Sequence, residues 1–192
     1  VLTASLADAE EVDRSLDDNG SSGMTCSVFI ATSLDGFLAR QDGSIDWLDA
    51  VQVEGEDYGY AEFFSAVDVV VMGKNTWQTV LGFDDWPYAG KRVIVLTRTP
   101  AEALHGEVFF SGDVRDLDLD HQHVYVDGGD VIRQFLAAGL VDHLTVSIIP
   151  VVLGSGRALF AGGVEQTLEL VDSKAFASGL VQLRYALPGA PR

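Results

Sequence analysis

Apolar residues gather in short runs separated by glycine-rich or polar turns, and the spacing within successive runs switches between that of strands and that of helices. The most informative stretch is 123–160, HVYVDGGDVIRQFLAAGLVDHLTVSIIPVVLGSGRALF. Val124, Tyr125 and Val126 form a β-branched and aromatic run that stops at Gly128-Gly129, after which Val131, Ile132, Phe135, Leu136 and Leu140 recur at helical spacing. A second apolar run over 144–153 follows within a few residues. Strand, helix and strand, joined by a right-handed crossover, predict two parallel strands in one sheet. Ligands of such sheets lie outside the carboxyl ends of the strands, where Gly128-Gly129 stands. The amides opening the following helix attract phosphate, and paired glycines let a ligand approach the backbone. Taken alone the pair reads equally well as a tight turn without a ligand. The dinucleotide fingerprint G-x-G-x-x-G is absent, so an ordinary Rossmann site is not indicated.

The rest of the chain extends the same alternation. CSVFIA over 26–31 predicts a buried strand, broken by Ser33-Leu34-Asp35-Gly36 and resumed at Phe37-Leu38-Ala39. Gln41-Asp42-Gly43-Ser44 is a second turn, and Ile45-Asp46-Trp47-Leu48 leads into an acidic connection. Phe63, Phe64 and Val67 predict a helix over about 57–66 with an acidic first turn, as the helix dipole prefers. The continuous run 67–72 suits a strand covered on both faces, and Gly73-Lys74-Asn75-Thr76 follows it at the mouth of a helix over 76–80. KRVIVL over 91–96 is a further strand, closed by Thr97-Arg98-Thr99-Pro100. Three strand ends thus offer cations, hydroxyls or free amides to a phosphate. A short strand is expected over 108–110, and the runs 168–173 and 180–186 predict an antiparallel hairpin.

Composition narrows the function classes. A chain of 192 residues, 47% hydrophobic, supports one compact domain, expected over 24–192 after an acidic, flexible extension over 1–23. A net charge of −17 argues against nonspecific binding to nucleic acid or anionic membrane, but not against a small anionic ligand held by local cations. No apolar run reaches the length of a membrane span and no secretory leader pattern opens the sequence, so a soluble cytoplasmic protein is expected. Cys26 is the only cysteine, which excludes an intrachain disulfide, and His105, His121, His123 and His143 lack paired ligand spacing, so no metal is expected.

Four motifs, Ser33-Leu34-Asp35-Gly36-Phe37, Val71-Met72-Gly73-Lys74-Asn75-Thr76-Trp77, Asp127-Gly128-Gly129 and Ile149-Pro150-Val151-Val152-Leu153-Gly154-Ser155-Gly156 with Leu159-Phe160, stand in an order that resembles the dihydrofolate reductase-like superfamily. Within it, Ser155 between two glycines is similar to the riboflavin biosynthesis reductase branch, the RibD C-terminal domain, as a single-domain relative. The resemblance implies an α/β three-layer fold: a mostly parallel central sheet with an antiparallel C-terminal hairpin and helices on both faces. It implies NADPH lying across the strand ends, met by Gly73, Lys74, Asn75 and Thr76, by Thr97, Arg98 and Thr99 at the adenosine end, and by Gly128, Gly129 and Asp130 at the pyrophosphate. Substrate contacts are expected at Ser33, Asp35, Trp47, Gly154, Ser155 and Gly156. Lys74 stands where many relatives carry arginine, which keeps the charge and loses the bidentate fork.

The implied chemistry is hydride transfer to a small heterocycle, most similar to 5-amino-6-(5-phosphoribosylamino)uracil reductase, with a pterin reductase or a non-catalytic nucleotide-binding relative as alternatives. The paired H-x-E and P-C-x-x-C deaminase signature is not met by these residues, since Cys26 is the only cysteine and no P-C-x-x-C is present. Two carboxylates compete as proton source. Asp57 is the nearest counterpart by spacing to the acid of folate reductases, although a helix-start acid satisfying the dipole is the stronger reading of it; Asp35 is the other polar group expected near the substrate. A homodimer is expected from the long apolar run 144–153 and from the family's habit of pairing.

Overall fold

The computed structural model describes residues 23–162 and 165–188. The extension expected over 1–23 therefore lies outside the described residues apart from Gly23. The chain opens with β1 (Thr25–Ser33) and the short β2 (Phe37–Ala39), then a 3-10 turn at Asp46–Val51 and helix α1 (Tyr60–Ser65). Strand β3 (Val69–Gly73) runs straight into α2 (Lys74–Val80), followed by β4 (Arg92–Leu96) and β5 (Val108–Phe110). Strand β6 (His123–Asp127), α3 (Gly129–Ala137) and β7 (His143–Ile149) make the predicted strand, helix, strand unit. Two-residue β8 (Arg157–Ala158) pairs with β2, and β9 (Glu169–Ala175) with β10 (Val181–Ala186) forms the hairpin.

Eight strands build one sheet in the order β5-β4-β3-β6-β1-β7-β10-β9. Pairings from β5 to β7 are all parallel, and β10 and β9 close the sheet antiparallel. The crossover through α3 carries the chain from β6 past β1 to β7. Alternation along β3 shows how both faces are covered. Val69 and Val71 pack with Val131, Ile132 and Phe135 of α3, while Val70 and Met72 pack with Tyr60 and Phe64 of α1 and Trp77 and Val80 of α2. All four β3 side chains are buried, which is why the run carries no polar position. The fold is the three-layer α/β arrangement that the motifs imply.

One expectation is corrected here. The run 144–153 is not a single strand with an exposed face: β7 ends at Ile149, and Leu144, Val146 and Ile149 are buried between β1 and β10. The apolar length of its first six residues reflects a strand buried within the sheet, so that length is not by itself a ground for pairing with a second copy. Exposed apolar side chains include Leu170 and Val171 on the edge strand β9, Phe160, and Val152 in the part of the run that follows β7.

Candidate active site

The carboxyl ends of β3 and β6 deliver two turns to one place. In the first, Gly73 passes directly into α2; in the second, Gly128 precedes α3 with φ of +86°. A β-carbon on Gly128 would stand 2.3 Å from Thr76 Oγ1 and 3.4 Å from Thr76 Cβ. Only glycine lets the two turns come this close, and only glycine takes this backbone conformation without strain. Between the turns opens a cleft of about 470 Å³ lined by Gly73, Asn75, Thr76, Gly128, Gly129 and Asp130, with Ile30, Leu38, Ile45 and Gly156 on its other walls. Such a volume suits a small-molecule ligand. Lys74, with Gly73, Asn75 and Asp130, lines an adjoining depression.

The third strand end joins the first through Lys74. Gly73 lies opposite Leu96 in the β3–β4 ladder, so the loops after these strands are neighbours. Lys74 Nζ donates to the carbonyl of Thr99 at 2.9 Å and contacts Thr99 Oγ1 at 3.1 Å, while Thr97 Oγ1 accepts from the Thr99 amide at 3.1 Å. Arg98 between them is exposed. A single carboxylate braces this wall from below. Glu107, 5% exposed, accepts from Trp77 Nε1 on α2 at 2.8 Å and from the amides of Leu104 and His105 at 2.9 and 2.8 Å. The helix that opens at Lys74 and the loop that follows Thr99 are therefore tied to the same side chain.

The two carboxylates favoured from sequence are both committed elsewhere. Asp57 accepts from the amides of Gly59 and Ala61, each at 2.9 Å, at the start of α1, and it is not among the residues lining the cleft. It serves as the helix cap. Asp35 accepts from Ser33 Oγ at 2.6 Å, from the Leu153 amide at 3.1 Å and from the Gly154 amide at 2.7 Å. The Ser33 hydroxyl, assisted by these amides, holds the Asp35 carboxyl below its ordinary value, which opposes service as a proton donor. Its work is to fasten the 153–154 backbone to the β1 turn.

The remaining substrate expectations divide. Ser33 is buried and accepts from the Phe37 amide at 2.9 Å. Trp47 is buried with Leu48, Val51, Tyr58, Ile149 and Leu180 and does not line the cleft. Gly154 and Ser155 are exposed outside the cleft, whereas Gly156 lines it. A β-carbon at Gly156 would meet the Ala39 carbonyl at 2.3 Å, so this glycine allows β8 to lie against β2.

Asp127 was not singled out from sequence, where an acid before two glycines reads as ordinary turn chemistry. The structure places it in the cleft wall at 2% exposure, with Oδ1 accepting from the Gly128 amide at 2.7 Å and Oδ2 3.4 Å from Tyr88 Oη. Burial pushes its carboxyl above the ordinary value, more than the Gly128 amide and the Tyr88 hydroxyl pull it down. Tyr60, Tyr88 and Tyr125, from α1, the connection before β4 and β6, have their hydroxyl pKa values raised first by burial and then by the Asp127 charge. An apolar and phenolic enclosure therefore favours the protonated acid at the edge of the cleft.

Sheet order, paired glycine turns and the cleft between them define a dihydrofolate reductase-like protein. The chain belongs to the RibD C-terminal domain family, whose model matches residues 114–182. A Bacillus subtilis relative known as the uncharacterized protein YwjB is 35% identical over 167 residues, spanning 82% of this chain and 95% of its own. The crystal structure of a Shewanella sp. PV-4 protein, linked by name to riboflavin biosynthesis, superposes with a TM-score of 0.78 at 34% identity over 85% of this chain and 99% of that one. The diaminohydroxyphosphoribosylaminopyrimidine deaminase/5-amino-6-(5-phosphoribosylamino)uracil reductase of Thermotoga maritima shares the fold, with a TM-score of 0.62 at 17% identity over 86% of this chain and 57% of its own. Among the described residues no helix is long and apolar enough to cross a membrane.

Proposed function

We propose that this chain is an NADPH-dependent reductase of a small heterocyclic substrate, with the reaction of 5-amino-6-(5-phosphoribosylamino)uracil reductase as the model. The observation that carries the reading is the cleft itself: two glycine turns in near contact, with the buried Asp127, whose carboxyl burial pushes above its ordinary value, in the wall between them. Bound NADPH would supply a hydride from its nicotinamide to a carbon doubly bonded to nitrogen or oxygen. The chain contributes the rest. Gly128 and Gly129 let the ligand approach the backbone without side chains to exclude it, Thr76 presents a hydroxyl at the junction, and Asp127 gives a proton to the heteroatom as the carbon is reduced. Ile30, Leu38 and Ile45 keep water from the reacting atoms. Loss of NADPH absorbance over a panel of pyrimidine, pterin and carbonyl substrates tests the reading. Turnover on the ribosylaminopyrimidine supports it, and no turnover on any of them retires it in favour of a binding protein.

Lys74, Thr97, Arg98 and Thr99 are assigned to the extra phosphate of the cofactor, because Lys74 and Thr99 already converge and Arg98 is exposed beside them. Each charge-assisted bond to phosphate contributes roughly 1.5–3 kcal/mol, so the Lys74→Ala, Arg98→Ala double variant should bind NADPH about a hundredfold or more less tightly. NADH binding should be nearly unchanged. Fluorescence titration with both cofactors decides, and equal losses would move these side chains to the pyrophosphate or to the fold.

A homodimer remains part of this reading on different grounds from those in the sequence. All seven residues of the edge strand β9 are exposed, including Leu170 at 54% and Val171 at 50%. An unpaired, partly apolar edge invites a second copy. Light scattering at micromolar concentration should return twice the chain mass; the single mass would refute the pairing.

A further inference from the structure

Arg157 opens β8, opposite Ala39 of β2, and its side chain reaches across to the turn that follows β2. Nη2, Cζ and Nη1 stand 3.3, 3.5 and 3.6 Å from the place a β-carbon on Gly43 would occupy, so the guanidinium lies broadside against that glycine. Gly43 has φ of +93°, and a larger residue would both strain the turn and displace the arginine. Four charged residues line the cleft: Asp127, Asp130, Arg133 and Arg157. Asp130 and Arg133 form an ion pair, and Arg133 also donates to the carbonyls of Ala158 and Leu159 at 2.9 and 3.1 Å. Asp127 is enclosed. Among the described residues Arg157 takes part in no ion pair, although the chain as a whole is strongly acidic.

A guanidinium in no ion pair among the described residues, seated against a glycine and lining a cleft shared with Asn75, Thr76 and Thr79, is built to receive an anion. We propose that Arg157 is the residue of this cleft that reads a phosphate group of the bound ligand, donating two parallel N–H bonds to its oxygens and fixing the 40–46 turn over it. Arginine suits this better than lysine, since its planar fork matches two phosphate oxygens. The phosphate has two possible sources: the diphosphate of the dinucleotide, or a phosphate ester on the substrate. The inference rests on the cleft being the ligand site proposed above, but not on the chain being a reductase.

The test is calorimetric titration of wild type, Arg157→Gln and Arg157→Lys with three ligands: inorganic pyrophosphate, ribose 5-phosphate and NADPH. Arg157 is exposed, so the variants should melt with the wild type. If the dinucleotide supplies the group, Arg157→Gln should weaken pyrophosphate and NADPH by about 10- to 100-fold and leave ribose 5-phosphate unchanged. If the substrate supplies it, ribose 5-phosphate alone should weaken by that factor. Arg157→Lys should recover only part of either loss. Wild-type affinity of Arg157→Gln for all three overturns the assignment. A wild type that binds pyrophosphate or ribose 5-phosphate but not NADPH would retire the reductase reading while leaving Arg157 to be judged by those two ligands.

Discussion

Replacing Asp127 by asparagine should lower turnover at least a hundredfold while leaving NADPH affinity within a few-fold of wild type. General acids contribute about 10²–10⁴ in rate, and a group that acts only as the bond changes affects rate and not ground-state binding. Asparagine keeps the shape and still accepts from the Gly128 amide, so the turn should survive. Stability should move the other way. The folded-state pKa of Asp127 is raised by burial above that of the unfolded chain, so the native state binds the extra proton between the two values. Wild-type stability is then fully present below the unfolded value and is lost as pH rises through the folded one. Asp127→Asn has no charge to bury, so above that window it should exceed wild type by on the order of 1 kcal/mol. Wild-type turnover should fall with rising pH over the same window, as the proton is lost. Chemical denaturation at several pH values, run beside steady-state rates, checks both halves. A variant with full activity would remove Asp127 from the chemistry, and one less stable than wild type at high pH would mean the acid is not strained by burial.

Gly128→Ala should cost more to the fold and nearly as much to function. The new methyl would overlap Thr76 Oγ1 and press on Thr76 Cβ, so the Thr76 side chain must leave its rotamer or the two turns must separate. An alanine at φ +86° and ψ 131°, a region suited to glycine, adds roughly 1–3 kcal/mol of strain, and with the displaced contact the loss should reach about 2–4 kcal/mol. Binding of NADPH should weaken by more than tenfold, since the cleft wall built by the Gly128 turn moves with it. Thermal melts and cofactor titration read the two effects. A variant that melts with wild type and binds NADPH normally would show that the close approach of the turns is not needed.

Much of the fold is legible in the sequence because most of the parallel strands are apolar runs ended by glycine or hydroxyl residues. The run 69–72 and the pair Gly128-Gly129 locate both the central sheet and the mouth of the cleft. The acid in the cleft is not legible in that way. Asp127 is enclosed by Tyr60, Tyr88 and Tyr125, which come from separate parts of the chain, and no local pattern announces that they meet. Asp35 misleads for the converse reason: it looks like a free polar group at a strand end, but its partners Leu153 and Gly154 arrive more than a hundred residues later. Asp57 was readable either as a cap or as an acid, and the amides of Gly59 and Ala61 account for it as the cap. Trp47 follows a polar turn and so resembles a cleft residue, whereas Ile149 and Leu180 enclose it from the far side of the sequence.

The most direct test of the central claim follows the hydride itself. The protein is incubated with NADPH carrying deuterium at C4 of the nicotinamide and with the ribosylaminopyrimidine, and the product is examined by mass spectrometry and NMR. The account predicts one deuterium on the reduced carbon, one molecule of oxidised cofactor per product, and loss of the transfer in Asp127→Asn with cofactor still bound. Product without deuterium, or a protein that binds NADPH yet transfers nothing to the pyrimidine, a pterin or a simple carbonyl, would contradict it.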